Sequence, residues 1–475
     1  MNFALIFKSL FLLLGIISPL SAHCLEGYDV KMPNENKGKE SITPFAITDY
    51  RDVRRRFGIK EKNRRGHVYI VGKTGTGKST LIANMIASDI ARGQGAALID
   101  PHGDLAEAVL DLVPKERVAD VVSFNPADLD FPLAFNPLEK LHPDKCHLVA
   151  SGLISAFKKI WSEFWGPRME HILRYAILAL LEYPQSTLLD VPPILIDKDF
   201  RAKVLETVNN PGVRNFWLLE FEKYNAWLRT EAIAPIQNKI GQFLATPLLR
   251  NIVGQAKSSF DIRKIMDEGK IIIANLAKGK IGEDACSLLG SMLVTQIQLA
   301  ALGRADLADE QRTPFYLFID EIHSFLTLSF ADIFSEARKY GLNLAMSHQY
   351  IEQLDEKIRA AIFGNVGTII SFRVGAENAK YLAREFYPVF AETDIVNLPN
   401  HHICLKLMID GRTSDAFSAV TMPLPQAAVS YRNEIMELSR KNYGSPRKEV
   451  ERQILSRSMT PVKPAFQRKG QPSLF

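Results

Sequence analysis

The feature that most constrains the fold is a glycine-rich run placed between a predicted strand and a predicted helix. The segment from Val68 to Val71 is short and apolar, which predicts a buried strand. The next residues, Gly72 to Ser79, read GKTGTGKS and match G-x-x-x-x-G-K-[ST] at every fixed position. Leu81, Ile82, Met85 and Ile86 then follow at helical spacing. Strand, loop and helix in this order predict the first unit of a parallel α/β sheet.

This loop predicts a nucleotide-phosphate site for ATP with Mg²⁺. Its glycines let the backbone curl and present N–H groups to phosphate oxygens, and the helix adds its positive N-terminal end. Lys78 is expected to contact the β- and γ-phosphates, and the Ser79 hydroxyl to bind Mg²⁺. A chance glycine-rich turn is the alternative, and both flanking elements argue against it. The residues predicted to contact nucleotide are Gly72, Lys73, Thr74, Gly75, Thr76, Gly77, Lys78, Ser79 and Thr80.

A pair of carboxylates predicts that the nucleotide is hydrolysed. The apolar run from Phe315 to Ile319 ends in Asp320-Glu321. After a phosphate loop, this pattern predicts that Asp320 holds Mg²⁺ through a water and that Glu321 orients and activates the attacking water. The pair alone is a weak signal, because many strands end in acidic residues. Together with the loop at Gly72 to Ser79 it is strong.

Three polar residues further along the chain are candidates to complete the site. The predicted strand Leu342 to Met346 is followed by Gln349, which is placed to sense the γ-phosphate. Arg338 is a candidate arginine finger for the nucleotide of a neighbouring subunit, and a surface charge on a helix is the alternative. Arg373, near the end of the predicted strand Thr368 to Val374, is a second finger candidate.

The remaining patterns predict an α/β fold of the RecA-like P-loop NTPase class, with a mostly parallel sheet and an inserted all-α domain. Further strands are predicted at 96–99, 121–124 and 270–276, and amphipathic helices between the last two. The predicted division is an N-terminal segment and linker (1–46), an ATPase domain in two parts (47–145 and 256–425), the all-α domain (146–255), and a basic, partly disordered tail (426–475).

Composition fits a globular ATPase and leaves the partner open. The chain has 475 residues, of which 47% are hydrophobic, so it holds more than one domain's worth of core. A net charge of +5 permits a nucleic-acid partner without demonstrating one. Four widely spaced cysteines disfavour a zinc site or a disulfide framework and suit small buried side chains in a reducing compartment. They are Cys24, Cys146, Cys286 and Cys404.

The first residues suggest a targeting segment, which conflicts with an ATPase that needs cytoplasmic ATP. Leu10 to Leu20 is nearly all apolar, Lys8 precedes it and Ser21-Ala22 follows. Three interpretations remain: an inner-membrane anchor, a cleaved signal, or an upstream extension before a native start at Met32. The third is favoured, because the residues after Met32 are polar. The expected location is cytoplasmic, either free or held at the inner membrane by this segment.

Two other features of the sequence, a basic stretch and an aspartate, each have two interpretations. The basic stretch from Asp52 to Arg65 is either a solvated helix face or linker, or a strip that lies near phosphate or DNA. Asp100, at the end of the strand 96–99, either binds Mg²⁺ through water or caps the next helix.

The ordered motifs resemble those of a known superfamily. The chain contains GKTGTGKST, LIDPHGDL, FNP and FNPL, LFIDEIHSF, SEARKYGLNL and SHQY, in this order. Over about Ile47 to Pro425 it is similar to the HerA/FtsK superfamily of hexameric DNA-pumping ATPases, and within it to TraG/TraD-type coupling proteins of conjugation and type IV secretion. The resemblance implies the Walker A role for Lys78 and Ser79 and the Walker B role for Asp320 and Glu321. It also implies that Gln349 is the polar sensor and that Arg338 acts in trans.

The resemblance also implies what the protein does and where this chain differs. The expected function is that of an ATP-hydrolysing DNA translocase, assembled as a homo-oligomeric ring, most simply a hexamer. DNA of either strandedness, a relaxase and secretion-channel components are the implied partners. The alternatives are a HerA-like DNA-processing translocase, a secretion ATPase that moves protein, and a nucleotide-gated scaffold. Coupling proteins usually carry two or more N-terminal membrane helices, whereas this sequence shows at most one short apolar run.

Overall fold

The computed structural model describes residues 41–49, 53–139, 145–327, 330 and 333–458. The predicted N-terminal segment, the start at Met32 and Cys24 lie outside these residues, as does the end of the predicted tail. The chain from Ser41 onward forms one compact unit built around a large sheet.

Eleven strands form the main sheet of the described residues, and two short ones form a separate hairpin. In chain order the strands are β1 (Ile42–Thr48), β2 (Arg56–Lys60), β3 (Val68–Val71), β4 (Gly95–Asp100), β5 (Val121–Phe124), β6 (Ile271–Asn275), β7 (Phe315–Ile319), β8 (Leu342–His348), β9 (Thr368–Ser371), β10 (His402–Lys406), β11 (Met408–Ile409), β12 (Arg412–Thr413) and β13 (Phe417–Thr421). The strand order in the main sheet is β2-β1-β13-β10-β9-β3-β8-β7-β4-β6-β5.

The sheet has a parallel part and an antiparallel part. From β9 to β5 every neighbouring pair is parallel, and β3 lies between β8 and β9. From β9 to β2 every neighbouring pair is antiparallel. All strands predicted for the parallel part are present, with bounds within a few residues of those expected. Because the parallel strands end at one edge of the sheet, the segments that follow β3, β7 and β8 are brought together there.

Nineteen α-helices accompany the strands in the described part of the chain. They are α1 (Glu61–Arg64), α2 (Lys78–Ala91), α3 (Asp104–Asp111), α4 (Cys146–Ile160), α5 (Pro167–Glu182), α6 (Val191–Ile196), α7 (Lys198–Thr207), α8 (Pro211–Asn215), α9 (Ala226–Ala245), α10 (Pro247–Val253), α11 (Ile262–Asp267), α12 (Lys278–Ile281), α13 (Glu283–Gly303), α14 (Ile333–Glu336), α15 (Glu356–Asn365), α16 (Ala376–Phe386), α17 (Glu392–Val396), α18 (Arg432–Tyr443) and α19 (Arg447–Ser458).

The two faces of the sheet are covered by different elements. Val68 and Ile70 of β3 belong to a core shared with α2 and α3, whereas Tyr69 and Val71 belong to a core shared with α4, α5 and α13. This alternation follows from the period of two along a strand. Since both faces are covered, the parallel strands are almost continuously apolar, which is why the sequence revealed them.

The helices α4 to α10, here called the helical region (146–253), pack directly on the rest of the chain. Their buried side chains form one continuous cluster with one face of the sheet. A Cβ added at Gly152 of α4 would overlap Thr295 of α13, so these two helices approach closely. The predicted domain limits of 146 and 255 stay a prediction, and the helices between them share their core with the ATPase sheet.

Two predictions about the start of the described chain need correction. The boundary between 46 and 47 falls inside β1, which pairs with both β2 and β13. The basic stretch contains an edge strand and a short helix, so it is not a solvated linker. Within it, Arg64 is buried and forms an ion pair with buried Asp89 at 2.5 Å.

The predicted tail begins with two helices that fold back onto the protein. Ser439 of α18 accepts a hydrogen bond from Ser123 N at 3.0 Å and lies 3.2 Å from Val121 O, so it binds the outer edge of β5. Asn251 of α10 donates to Glu451 of α19 at 3.3 Å. The helix α18 therefore covers the otherwise open edge of β5, and α19 packs on α10.

Three smaller points complete the fold. The strand β10 pairs with β13, and the turn Asp410-Gly411 joins β11 to β12, a small hairpin within that connection. In the described part of the chain one helix, Glu283–Asp306, is long and apolar enough to cross a membrane, and 67% of its most apolar window is buried within the protein. Cys286 and Cys404 are buried and Cys146 is half-buried, and none of these three described cysteines forms a disulfide.

Candidate nucleotide site

The glycine-rich loop connects β3 to α2 with the geometry that the motif requires. Gly75 and Gly77 have φ angles of 75° and 117°, a region that favours glycine. The loop is exposed at Lys73, Thr74 and Gly75, so its crest is open to a ligand. A Thr76 hydroxyl that donates to Lys73 O at 2.7 Å holds the curl.

Lys78 and Ser79 occupy the positions expected at the start of α2. The Lys78 side chain is buried, and its Nζ donates to Gly72 O at 2.6 Å and to Lys73 O at 3.1 Å. Burial lowers the pKa of Lys78, and the charges of Glu321 and Asp320 oppose that shift. Ser79 is exposed at the first turn of the helix. The lysine charge and the hydroxyl are thus both at the loop.

Asp320 and Glu321 follow β7 directly and lie beside this loop. Asp320 is buried and accepts a hydrogen bond from the Ser347 hydroxyl at the end of β8. Burial raises the pKa of Asp320, and the hydrogen bond from Ser347 partly offsets this effect. Glu321 has a left-handed backbone, with φ 48° and ψ 61°. A non-glycine residue in this region is uncommon and marks a geometry fixed by its surroundings.

Gln349 joins the phosphate loop to the second carboxylate. Its Nε2 donates to Glu321 Oε1 at 2.5 Å, and its Oε1 accepts from the Thr74 hydroxyl at 3.0 Å. The amide therefore lies between the crest of the loop and the carboxylate expected to activate water. Gln349 was predicted to be a sensor from its place after a strand, and the structure puts it in contact with both groups.

Glu321 is charged and has a free oxygen. Burial raises its pKa, but the proximity of His323, the hydrogen bond from Gln349 and the charge of Lys78 outweigh burial, so the pKa lies below the usual range. His323 Nδ1 is 3.5 Å from Glu321 Oε2. Glu321 Oε2 is buried and has no hydrogen-bond partner in the described structure. A buried, unpaired carboxylate oxygen is suited to a water or a metal-bound ligand.

These residues fit a nucleotide with a magnesium ion. Asp320 and the Ser79 hydroxyl supply the oxygen ligands that Mg²⁺ prefers, directly or through water. Asp100 does not add a further ligand, because its oxygens accept from the backbone N–H groups of His102, Gly103 and Ala106 at 2.8–2.9 Å. Of the two interpretations of Asp100, the structure therefore supports the helix cap.

The two arginine candidates lie at opposite ends of the parallel strands. Arg338 is exposed in the turn before β8, at the amino end of the strands, whereas the phosphate loop is at their carboxyl ends. Arg373 follows β9 beside the loop of its own chain, where its carbonyl accepts from Lys73 N at 2.9 Å. Its guanidinium donates to Asn400 at 2.9 Å. Of the two arginines, only Arg338 lies away from the phosphate loop of its own chain, as expected for a residue that acts on the site of a neighbouring subunit.

Sequence reasoning missed the residues that support the loop from the side of β9 and β10. His401 N donates to Thr76 O at 2.9 Å, and a Cβ added at Gly77 would lie 2.9 Å from the His401 ring. Phe372 would meet a Cβ at Gly72 at 2.5 Å. These contacts explain why both loop positions are glycine. No local pattern around His401 signals this role.

Residues 57–396 match the family model of the type IV secretion-system coupling protein DNA-binding domain. The chain belongs to this family. The match lies within residues 47–425, over which the motifs predicted a likeness to coupling proteins, and it confirms that prediction. A search of curated proteins found no match.

Solved structures of the bacterial conjugative coupling protein TrwB share the fold. A TrwBΔN70 form with sulphate is 17% identical, with a TM-score of 0.58, and the match covers 82% of this chain and 91% of that one. TrwB with ADP and Mg²⁺ is 16% identical (TM-score 0.57; 84% and 99% covered). TrwB with the ATP analogue ADPNP is also 16% identical (TM-score 0.56; 78% and 87% covered). These likenesses confirm the predicted RecA-like α/β fold.

Proposed function

We propose that this coupling-protein family member is an ATP-hydrolysing DNA translocase of conjugative or type IV secretion transfer. The observation that carries the proposal is the contact chain from Thr74 through Gln349 to Glu321, since it links the phosphate loop to a charged carboxylate with a free oxygen. The family description supplies DNA as the cargo class. TrwB structures with ADPNP or with ADP and Mg²⁺ support ATP and Mg²⁺ as the ligands.

The proposed reaction is attack of water on the γ-phosphorus of ATP, which releases ADP and phosphate. Backbone N–H groups of the loop and the Lys78 ammonium bind the phosphates and balance their charge. Glu321 orients the attacking water and accepts its proton. Magnesium, held by Ser79 and through water by Asp320, would neutralise charge on the phosphate oxygens.

The geometry of the strands also supports a shared site. The proposed unit is a homo-oligomeric ring, most simply a hexamer, in which Arg338 of one subunit approaches the nucleotide of the next. An arginine in this role stabilises negative charge in the transition state. Binding to DNA is expected to rest on phosphate contacts and so to weaken with salt.

The first test is steady-state phosphate release by the purified chain, with and without single- or double-stranded DNA. We expect DNA to stimulate turnover. Glu321→Gln should retain ATP binding and lose about 10²-fold or more in kcat, because the amide cannot accept the proton. Lys78→Ala should lose both binding and turnover.

The matched control is Glu352→Gln, which makes the same chemical change at an exposed position after β8. It should behave like the wild type. Unchanged turnover in Glu321→Gln would overturn the assignment of the site. Turnover that neither DNA form stimulates would overturn DNA as the cargo and favour a secretion ATPase that acts on protein.

A further inference from the structure

The turn that carries the second carboxylate is held in place by side chains from outside the sheet. This turn, called here the Walker B turn, runs from Glu321 to Leu326 and includes the short 3-10 helix Ile322–Ser324. Lys159, in the last turn of α4, donates from Nζ to His323 O at 2.5 Å and to Leu326 O at 2.9 Å. The helical region therefore binds the Walker B turn directly through one ammonium group.

A second helix, α13, also holds this turn. The Ser291 hydroxyl donates to Phe325 O at 2.9 Å. A Cβ added at Gly290 would overlap the Phe325 ring, so helix and turn are in close contact. Three backbone carbonyls of the turn, those of His323, Phe325 and Leu326, thus accept hydrogen bonds from side chains of α4 and α13. This arrangement fixes the path of the backbone immediately after Glu321.

Burying the Lys159 ammonium would cost free energy if it lacked hydrogen-bond acceptors, so its contact with the Walker B turn is a specific one. Burial lowers the pKa of Lys159 to about 7. A buried ammonium needs hydrogen-bond acceptors, and the two carbonyls of the Walker B turn supply them. Its neighbour Lys158 points elsewhere, with an exposed side chain that pairs with Glu170 at 3.2 Å. The two lysines therefore differ in role although they are adjacent.

The Walker B turn connects Lys159 to the proposed chemistry over a short path. His323, whose carbonyl binds Lys159, has its ring 3.5 Å from Glu321 Oε2. Glu321 itself has the left-handed backbone described above, which only a well-held turn maintains. A shift of the Lys159 end of α4 would therefore move the residues that surround the water-activating carboxylate.

We propose that Lys159 is a positioning residue that ties the helical region to the Walker B turn, so that a displacement of α4 changes water activation at Glu321. The proposal rests on the proposed ATPase function. It gives the helical region a defined physical route to the nucleotide site. A partner or DNA bound by the helical region would act on hydrolysis along this route.

The test compares Lys159→Met with Lys158→Met. Methionine keeps the apolar stem of lysine and removes its donors. We expect Lys159→Met to bind a fluorescent ATP analogue with unchanged affinity, while kcat falls by about tenfold to a hundredfold and stimulation by DNA is lost. Lys158→Met should match the wild type in all three measurements. A loss of structure alone would lower affinity and thermal stability together with kcat.

Two further variants keep the outcome decisive. If Lys159→Met does not fold, Lys159→Gln keeps a polar group whose shorter reach cannot serve both carbonyls, and it should lower kcat without changing affinity. Normal kcat and normal DNA stimulation in the folded Lys159→Met variant, or in Lys159→Gln where the first does not fold, would overturn the proposal. Glu321→Gln separates the two hypotheses: a wild type without turnover overturns the proposed function, whereas turnover that depends on Glu321 but not on Lys159 overturns only this inference.

Discussion

Gln349 is the residue that most directly reports the state of the nucleotide site. It contacts Thr74 on one side and Glu321 on the other, and both contacts are made by its amide group. A γ-phosphate at the crest of the loop would compete for the Thr74 hydroxyl and for the amide donor. Binding of ATP would therefore change the hydrogen bonding of Glu321, the carboxylate proposed to activate water.

Replacing Gln349 should affect turnover more than binding. We expect Gln349→Ala to lower kcat by about tenfold to a hundredfold and to change KM little, because the phosphate loop itself is intact. Thr74→Val, which removes only the contact to the loop, should cause a smaller fall. Steady-state kinetics of both variants check this. A larger change in KM than in kcat would show that Gln349 serves to bind ATP.

The residues of the site differ in how far the sequence reveals them. Lys78, Asp320 and Glu321 stand in local patterns, and a parallel sheet necessarily brings the ends of β3 and β7 to one edge. Gln349 could be placed because it follows the next strand. His401 could not be placed, because its contact with Thr76 depends on the antiparallel β10 lying beside β9, a pairing far along the chain.

At the scale of elements, the sequence patterns did not predict the antiparallel strands β1 and β2. Pro44 lies within β1, and proline in a run argues against a strand. The structure accommodates it at a register shift between Pro44 and Ala46, where β1 passes β2. The neighbouring basic residues gave β2 the appearance of a linker. The prediction failed here because a bulge at the edge of a sheet tolerates what a central strand does not.

A single histidine joins β3 to the segment that carries Arg338. His67 precedes β3 with a φ of 60°, its Nδ1 accepts from Leu344 N at 3.1 Å, and its Nε2 lies 3.3 Å from Phe334 O. The ring must be neutral to accept at Nδ1 and donate at Nε2. Burial lowers the pKa of His67 to about 4 from the ordinary value of 6.5, and the charge of Arg338 adds to this shift.

This shift predicts a loss of stability in mild acid. Because the unfolded chain binds a proton near pH 6.5 and the folded chain does so only near pH 4, the free energy of unfolding should fall as the pH drops through that window. The contribution of His67 is of the order of 3 kcal/mol. Urea denaturation at a series of pH values should show a shallower pH dependence for His67→Asn than for the wild type. His147→Asn, at an exposed position, should keep the wild-type dependence.

At the scale of the whole molecule, the helical region is predicted to be an inserted all-α domain, and its buried side chains form one continuous cluster with one face of the sheet. Amphipathic spacing identifies which side of a helix is buried but not what covers it. The close approach of Gly152 to Thr295 shows that α4 is fixed to a helix of the ATPase part. Movement of the helical region is therefore expected to reach the nucleotide site.

The ring proposal predicts that two inactive subunits can complement each other. Arg338→Ala should lose about 10³-fold in kcat, and Lys78→Ala should also be inactive. A mixture of the two should regain activity, because an intact loop in one subunit then meets Arg338 of the other. Phosphate release by mixed assemblies measures this.

The mixture also distinguishes the two arginines. Arg373 lies beside the loop of its own chain, so any loss of turnover in Arg373→Ala should not be restored by mixing with Lys78→Ala. Arg412→Ala, at an exposed position in β12, serves as the control and should be as active as the wild type. Recovery with Arg373→Ala, or full activity of Arg338→Ala alone, would contradict the assignment of Arg338.

The opposite placement of Arg338 and the phosphate loop has a consequence for symmetry. The strand β8, which separates the two edges, has seven residues and so spans about 23 Å. A twofold dimer pairs the same surface of both subunits, so it joins loop to arginine only if one surface carries both, and their placement at opposite ends of β8 argues against this. A contact that joins loop to arginine is head-to-tail, and it leaves one unsatisfied surface at each end of an open assembly. In the proposed assembly only closure into a ring completes every site, so an open assembly would have one complete site fewer than a ring of the same number of subunits.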